Sequence, residues 1–340
     1  MEKNLSALGF MSGTSGDGVD TSVISSNGKD TINIKYNRFD PYPKSLSNKI
    51  HRVKESISKM QDLLKYSSEI DKLEIEITDF HIDIAIKATK EVDYDLIGFH
   101  GHTIYHNTDE KISKQIGLGA NLSKLTNKDV VYNFRQNDIK NGGEGAPLSP
   151  IYHLALIKSL FNENKVKIPI SILNIGGIAN ITEIDKNFKI ISRDIGPGNC
   201  LIDSWVRKNS NQKFDKEGKL ASIGKTNEII LEQAQELYSN RPNQKTLSLD
   251  VNDFDVSFAR GLSLEDGAAT LTDFTGRIIG AALFSLVSDV REKFFRVLVC
   301  GGGRKNKTLL NKIKNRTFKN RTKRVQVNMI CKNLNKNIGN

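Results

Sequence analysis

The sequence predicts an α/β protein of two related lobes that close over a central cleft. In both halves of the chain, short apolar strands end at glycine-rich turns and are followed by segments with helical periodicity. The length of 340 residues is enough for two medium domains. We therefore expect a first lobe over residues 1–128 and a second lobe over residues 129–340.

The first lobe begins with strands and continues with helices. Apolar and polar residues alternate near the N-terminus, which is typical of a β-meander, and Ser25-Ser26-Asn27-Gly28 marks one of its turns. Further along, apolar residues recur every three or four positions, as on one face of a helix. These patterns predict strands over 5–10, 20–26, 31–39 and 96–99 and helices over 45–70 and 73–92, and one further strand over 130–134, just beyond the predicted lobe boundary.

The second lobe repeats this plan without sequence identity. Its strands again precede most of its helices, and a glycine turn again follows the first strand of the group. The patterns predict strands over 168–173, 188–192 and 297–300, and one more strand that follows the glycine turn and ends at residue 184. They also predict helices over 150–161, 199–208, 227–238 and 267–292.

The charge of the chain is concentrated at its C-terminal end. The formal charge is +11, yet residues 291–340 hold fifteen Lys and Arg against the single acid Glu292, which leaves −3 for the first 290 residues. A mildly acidic body argues against a nucleic-acid-binding surface. We expect the basic run 312–324 to be a solvated face or a frayed tail, and we expect no nucleic acid partner.

Cysteine spacing and hydropathy narrow the class further. Cys200, Cys300 and Cys331 lie far apart with no CxxC pair, so neither a zinc site nor a disulfide framework is indicated. No window of about 18 apolar residues occurs in the chain. We expect a cytoplasmic protein without a membrane partner.

Three glycine turns at strand ends are candidate phosphate contacts, because glycine exposes backbone N–H groups without Cβ obstruction. Taken alone, the first turn fits a tight hairpin equally well, since it lacks the lysine of a P-loop. As a set, the turns indicate a nucleotide held between lobes. The turns comprise Gly13, Thr14, Ser15, Gly16, Asp17 and Gly18 in the first, Gly176 and Gly177 in the second, and Gly301, Gly302 and Gly303 in the third.

Asp194 begins a segment, Asp-Ile-Gly-Pro-Gly-Asn, that follows a predicted strand and precedes a predicted helix. An acid in this place can act as a general base, and Asn199 with the helix N-terminus beside it can hold an anion. An ordinary turn residue is the alternative interpretation of Asp194.

Polar residues also follow the two shorter strands of the first half. Arg135 carries a planar fork suited to a carboxylate or phosphate, although a surface salt bridge is the alternative. The segment His100-Gly101-His102-Thr103 has no acid or cysteine at metal-ligand spacing, and neither does His106. We therefore expect substrate hydrogen bonding and no metal held by these histidines.

Together these segments resemble, in order and spacing, the anhydro-N-acetylmuramic acid kinase family over residues 5–310, which belongs to the sugar kinase, Hsp70 and actin-like (duplicated ribonuclease H-like) fold class. The segments that carry the resemblance are MSGTSGDGVD at 11–20, HGHT at 100–103, NFR at 133–135 with GGEGAPL at 142–148, NIGGIAN at 174–180, DIGPGN at 194–199, ATLT at 269–272 and CGGG at 300–303.

The resemblance implies a kinase that opens a 1,6-anhydro ring and phosphorylates O6 in peptidoglycan recycling, with ATP, Mg²⁺ and water. It implies that Asp194 is the catalytic base, and that His100, Gly101, Thr103, Arg135 and Asn199 meet the sugar. It also implies a cytoplasmic homodimer. The nucleotide would be bound by Gly13, Thr14, Ser15, Gly16, Asp17, Gly18, Val19, Asp20, Asn174, Gly176, Gly177, Gly301, Gly302 and Gly303.

This chain departs from the family pattern in three places. Asn133 stands where the family usually has an acid, and His102 where it usually has Gln. The family pattern also predicts a helix that follows the third glycine turn and returns to the first lobe, and we find no such pattern before Asn340. The alternatives are a kinase of another sugar and a catalytically silent protein that binds nucleotide or sugar.

Overall fold

The computed structural model describes residues 4–13, 16–107, 110–240, 249, 254–289 and 296–318. The chain divides into two units, one ending at Lys165 and the other beginning at Val166. This division differs from the predicted boundary between residues 128 and 129. The reason is that the strand at 129–132 pairs in parallel with the strand at 96–99, so the sheet of the first unit extends beyond residue 128.

Strands of the first unit form one mixed sheet. Within the described residues its central order is β3-β2-β1-β4-β7, with β5 beside β1 and β6 beside β5. β1 is antiparallel to β2 and parallel to β4. The strands are β1 (Leu5–Ser12), β2 (Gly18–Ser26), β3 (Ile32–Pro41), β4 (Leu96–Phe99), β5 (His102–Asn107), β6 (Ile112–Ile116) and β7 (Asp129–Tyr132).

The second unit repeats the first four positions of that sheet. Its described strands have the order β10-β9-β8-β11, in which β8 is antiparallel to β9 and parallel to β11. A three-stranded meander with a parallel strand added to its first member is thus common to both units, and the predicted α/β duplication is confirmed. The strands are β8 (Ile170–Ile175), β9 (Ile178–Ile184), β10 (Ile190–Pro197) and β11 (Val297–Cys300).

Helices follow the meander in each unit. The first unit has α1 (Lys44–Ser56), α2 (Met60–Lys65), α3 (Ser67–Thr89), α4 (Gly119–Thr126), α5 (Phe134–Lys140) and α6 (Pro150–Asn162). The second has α7 (Cys200–Asn209), α8 (Lys219–Ile223), α9 (Glu228–Ser239), α10 (Leu264–Asp289) and α11 (Lys307–Phe318). In the described part of the chain, no helix is both long and apolar enough to cross a membrane.

The helical region after β3 is divided differently from the prediction. The helical conformation is interrupted after α1. There the Asp62 carboxylate accepts hydrogen bonds from the backbone N–H groups of Ser58 (3.0 Å) and Lys59 (3.1 Å). Such a cap starts the next helix, because it satisfies amides at a helix N-terminus that lack helical partners. α3 then continues through the predicted gap at 71–72, since Ile70 and Leu73 are both buried on its inner face.

Each unit has its own apolar core. Leu8, Ile50 and Ile97 are fully buried in the first, and Ile181 and Ile279 in the second. Part of the basic run at 312–324 also belongs to the second unit, where Lys312 of α11 forms an ion pair with the buried Asp273 of α10. The expectation of a merely solvated face is therefore wrong for Lys312, and residues 319–324 lie outside the described part.

Candidate active site

The first glycine turn connects β1 to β2 and is held by its own backbone and by α1. The Gly16 N–H donates to the Gly13 carbonyl (3.0 Å), and the Ser47 hydroxyl donates to the Gly16 carbonyl (2.8 Å). A Cβ on Gly18 would lie 2.4 Å from the Asp40 carbonyl oxygen, so only glycine fits there. Of the other predicted nucleotide contacts, Val19 and Asp20 lie in β2, Asp17 lies in the turn, and Thr14 and Ser15 lie outside the described residues.

The turn at His100 and Gly101 connects β4 to β5. Gly101 has a φ of +72°, and a Cβ there would lie 2.4 Å from the Ile116 carbonyl oxygen. His102 and Thr103 belong to β5 rather than to the turn. The Thr103 hydroxyl accepts a hydrogen bond from the Gln115 side chain (3.3 Å) of the neighbouring strand. The turn in the structure is therefore shorter than the four-residue motif at 100–103, since only His100 and Gly101 lie in it.

Arg135 and His100, which are 35 positions apart, meet in the first unit. Arg135 lies in the first turn of α5, which begins after Asn133 in the left-handed conformation (φ +59°). The Arg135 Nε–H donates to His100 Nε2 (3.0 Å). A guanidinium only donates, so His100 is neutral and its Nδ1–H faces the Gly101 carbonyl (3.3 Å). Burial, and secondly the charge of Arg135, lower the pKa of His100 to about 4.

Two residues near these turns were not singled out from the sequence. Ser12 and Tyr42 form a buried hydrogen-bonded group with His102. Ser12 lies within the motif at 11–20 and could have been examined on that ground. Tyr42 carries no local signal, because it reaches the site only through the path of β3 and α1.

In the second unit, two of the predicted segments interlock through backbone. The N–H groups of Gly198 and Asn199 donate to the carbonyls of Gly177 and Gly176, each at 2.8 Å, and the Cys200 N–H also donates to the Gly177 carbonyl (3.1 Å). A Cβ on Gly198 would lie 2.3 Å from the Gly176 carbonyl oxygen. The first amides of α7 thus have protein partners, which limits the predicted role of this helix N-terminus in holding an anion.

The third glycine turn follows β11 and packs on the end of β8. A Cβ on Gly301 would lie 2.5 Å from the Asn174 Oδ1, and one on Gly303 would lie 2.3 Å from the Ile175 Cγ2. Gly302 is exposed, with no atom within 4 Å of the position of its Cβ. The backbone at Gly302 is therefore open to a ligand, whereas its two neighbours serve packing.

A row of polar side chains crosses the second sheet beside these turns. Strand pairing aligns Asp194 with Asn180, Asn180 with Asn174, and Asn174 with Cys300. Paired residues project from the same face of a sheet. Asp194 lies within β10, next to a bulge, and not after the strand as predicted. One of its oxygens, Oδ2, accepts a hydrogen bond from the Leu249 N–H (2.7 Å).

The segment Ala269–Thr272 lies in α10 and has a packing role. The Thr270 hydroxyl accepts a hydrogen bond from the Asn227 N–H (3.0 Å) at the start of α9 and donates to the Asp266 carbonyl (2.7 Å). One turn along the same helix, Asp273 is paired with Arg277 and Lys312. Burial raises the pKa of Asp273, but the two cations outweigh it and leave the pKa below its ordinary value.

The residues present suit a metal that is bound partly by phosphate. In the described ranges, no group of three or more His, Cys, Asp and Glu side chains could hold a metal ion. Mg²⁺ commonly uses one or two carboxylates together with substrate phosphates and water. Asp17 lies in the first glycine turn and Asp20 is the third residue of β2, so both carry carboxylates in that region.

The chain is similar to one known protein family over most of its length. A family model for anhydro-N-acetylmuramic acid kinase matches residues 5–329. A kinase of that name from Pelagibacter ubique (strain HTCC1062) is 48% identical over 324 residues, which cover 94% of this chain and 85% of the relative. Another, from Bradyrhizobium diazoefficiens, is 36% identical over 321 residues, covering 92% and 84%.

A hexokinase from Schistosoma mansoni complexed with glucose was found among solved structures, with 10% identity and a TM-score of 0.39 over 96% of this chain and 82% of its own. A TM-score of this size adds nothing to the assignment. The match over residues 5–329 and the identity of 48% show that this chain belongs to the anhydro-N-acetylmuramic acid kinase family, as its motifs predicted, and is a kinase.

Proposed function

We propose that this chain uses ATP and water to convert 1,6-anhydro-N-acetylmuramic acid into N-acetylmuramic acid 6-phosphate and ADP. The observation that carries the proposal is the position of Asp194, at the end of a polar row that borders two interlocked glycine turns in the second sheet. The same row ends at Cys300, shortly before the exposed backbone of Gly302, and a carboxylate in line with an open glycine turn suits a combined hydrolysis and phosphoryl transfer. Family membership supports the same reaction.

In this mechanism Asp194 is the general base. Its carboxylate takes a proton from a water molecule as the water oxygen bonds to the anomeric carbon C1. The bond between C1 and O6 breaks with its electron pair on O6, which then attacks the γ-phosphorus, and ADP leaves. General base assistance is worth about 10²- to 10⁴-fold. In-line positioning of O6 and neutralisation of phosphate charge supply the remainder.

The nucleotide contacts of the proposal are the three glycine turns, with Asn174 beside the second. Gly302 supports this role most directly, because its exposed backbone leaves room for a phosphate or ribose. Asp17 and Asp20 would hold Mg²⁺ together with the phosphates of ATP. When bound, the ion supplies positive charge against the negative charge of the transferred group.

The sugar contacts of the proposal are His100, Gly101, Thr103, Arg135 and Asn199. The lactyl carboxylate of a muramic acid suits an Arg fork, which can donate two parallel hydrogen bonds. The Arg135 Nε–H is already bonded to His100, so the ring of His100 limits the orientations of the guanidinium. Because His100 stays neutral, it adds no second positive charge beside the carboxylate.

The test is the formation of sugar 6-phosphate from ATP and the anhydro sugar, followed by mass spectrometry. Asp194→Asn keeps the shape of the side chain but removes the base, so turnover should fall by about 100-fold or more while ATP affinity changes little. Asp185→Asn is the matched control, because Asp185 lies in the hairpin turn after β9 and its Oδ1 only accepts backbone hydrogen bonds.

Turnover of Asp194→Asn within about tenfold of the wild type would remove Asp194 from the base role. Phosphorylation of unrelated sugars in preference to the anhydro sugar would contradict the proposed substrate. The proposal also includes a cytoplasmic homodimer in peptidoglycan recycling, for which the support is the family resemblance. Sedimentation of the purified protein measures the oligomeric state.

A further inference from the structure

Three buried side chains of the first unit form a continuous hydrogen-bonded chain, the Tyr42–Ser12–His102 chain. The Ser12 hydroxyl lies 2.7 Å from the Tyr42 hydroxyl and 2.6 Å from His102 Nδ1. Ser12 and Tyr42 are at most 6% exposed, and His102 is fully buried. Water cannot readily replace a bond lost here, so removal of one member leaves a buried polar atom unsatisfied.

One end of this chain holds the first glycine turn. Ser12 is the last residue of β1 and directly precedes Gly13. Tyr42 contacts the same turn a second time, because its backbone N–H donates to the Asp17 carbonyl (3.0 Å). The turn is therefore held at its start by the Ser12 side chain and near its end by the Tyr42 backbone.

The other end holds the His100–Gly101 turn. His102 directly follows Gly101 and is the residue of β5 that pairs with Ser12 of β1. The Ser12–His102 bond thus joins the residue that precedes one turn to the residue that follows the other. It is the shorter of the two bonds in the chain.

The ring nitrogens of His102 have different surroundings. Burial lowers the pKa of His102 to about 3, with the charge of Lys54 as the next cause, so the ring is neutral near pH 7. Nδ1 bonds to Ser12, whereas Nε2 is buried without a hydrogen-bond partner among the described residues. His102 therefore joins the Tyr42–Ser12–His102 chain through a hydrogen bond at Nδ1.

We infer that His102 is a positioning residue, which acts through Ser12 and Tyr42 to fix the first glycine turn relative to the His100–Gly101 turn. The inference rests on the proposed function, which assigns the phosphates to the first turn and the sugar to the second. The chain would then set the separation between the γ-phosphate and O6. A misplacement of about 1 Å can lower the rate of such a transfer by about 100-fold.

The test compares kcat with the KM values of ATP and the anhydro sugar. Ser12→Ala should lower kcat by about 10- to 100-fold and change each KM by less than about threefold, because each turn keeps its own ligand contacts. Tyr42→Phe should lower kcat by less, since it leaves the Ser12–His102 bond in place. Tyr36→Phe removes a hydroxyl of β3 that does not belong to the Tyr42–Ser12–His102 chain, and it should leave kcat unchanged.

Two substitutions of His102 separate its nitrogens. The short amide of Asn reaches the position of Nδ1, whereas the longer amide of Gln reaches that of Nε2. We expect His102→Asn to retain kcat within about fivefold and His102→Leu to lose about as much as Ser12→Ala. Melting temperatures of all variants show which of them fold, and rescue by Asn is a result that general loss of packing does not produce.

Each remaining outcome contradicts the inference. Rescue by His102→Gln but not by His102→Asn would make Nε2 the working atom. A rise of KM with kcat unchanged would indicate lost ligand contacts and not lost alignment. Wild-type kcat in Ser12→Ala would overturn the inference alone, whereas absence of sugar phosphate with the wild-type protein would overturn the proposed function as well.

Discussion

The two units hold their candidate site residues by different means. In the first unit, side chains fix the turns, through Arg135 with His100 and through Ser12 with His102. In the second unit, backbone amides and carbonyls of glycine turns bond directly to one another. Single substitutions of polar side chains should therefore affect the first arrangement, whereas the second should be sensitive to a Cβ added where the turns interlock, at Gly198.

The units also differ in the groups that titrate. All six histidines of the chain lie before residue 166, and burial lowers the pKa of four of them: His81, His100 and His153 to about 4 and His102 to about 3. In the described part of the second unit, Asp273 has its pKa lowered by Lys312 and Arg277. The two units should therefore lose stability in two separate pH ranges as the pH falls.

The largest predicted effect is a loss of stability of the first unit between about pH 6.5 and pH 4. Its buried histidines are neutral when folded but bind protons near pH 6.5 when unfolded, so their contribution is complete above that pH and is lost below it. Each histidine costs about 1.4 kcal/mol per pH unit in this range. The contribution of Asp273 is instead complete above about pH 3.9 and is lost only as the pH falls further.

Hydrogen exchange of peptides from residues 16–107 should show this loss at pH 5, while the fluorescence of Trp205 should not change. Trp205 is the single tryptophan of the chain and is buried in the second unit. His81→Phe serves as the control, because it removes one buried histidine that packs against Phe10 and Phe99 and should reduce the pH dependence by about one proton. Simultaneous changes in both signals would contradict two separate ranges.

The next effect tests the backbone arrangement of the second unit. Gly198→Ala should lower the free energy of unfolding by about 3 kcal/mol, because the new Cβ would overlap the Gly176 carbonyl oxygen. Gly302→Ala is the matched control in the same unit. Its Cβ would meet no atom, so we expect a change within about 0.5 kcal/mol.

Urea unfolding followed by Trp205 fluorescence measures both glycine variants. If the two substitutions lower the free energy of unfolding equally, the interlocked turns do not depend on the absence of a side chain at Gly198.

The smallest effect tests the side-chain arrangement of the first unit. Arg135→Ala should weaken binding of the anhydro sugar by about 1.5 to 3 kcal/mol and leave ATP affinity unchanged, because it removes the charged fork proposed to hold the lactyl carboxylate. Arg135→Lys should recover part of the loss, since it keeps the charge but not the fork. Arg38→Ala removes the same charge from β3, where Arg38 forms ion pairs with Asp40 and Glu91, and serves as the control.

Calorimetry with the anhydro sugar, and with an analogue that lacks the lactyl group, measures these affinities. The analogue should bind equally to the wild type and to Arg135→Ala. An equal loss for both ligands would exclude the carboxylate contact.

Local pattern was sufficient where burial dominates. The strands at 96–99 and 297–300 were predicted residue for residue, because each is a short apolar run that ends at a polar or glycine turn. The β5–β6 hairpin was missed, because His102, His106 and Gln115 interrupt its apolar positions. α5 was missed as well, since Asn133 and the glycines after residue 141 resemble one long loop.

By itself, the sequence determined the α/β class, the repeated meander and the family, because periodicity and the order of motifs are properties of the linear chain. Only the tertiary structure decided that β10 continues through Asp194, that Arg135 bonds to His100, and that Tyr42 and His102 meet at Ser12. The hydrogen bonds among these residues join positions 30 to 90 apart in the sequence. Their partners are chosen by strand register and helix packing, to which no local pattern responds.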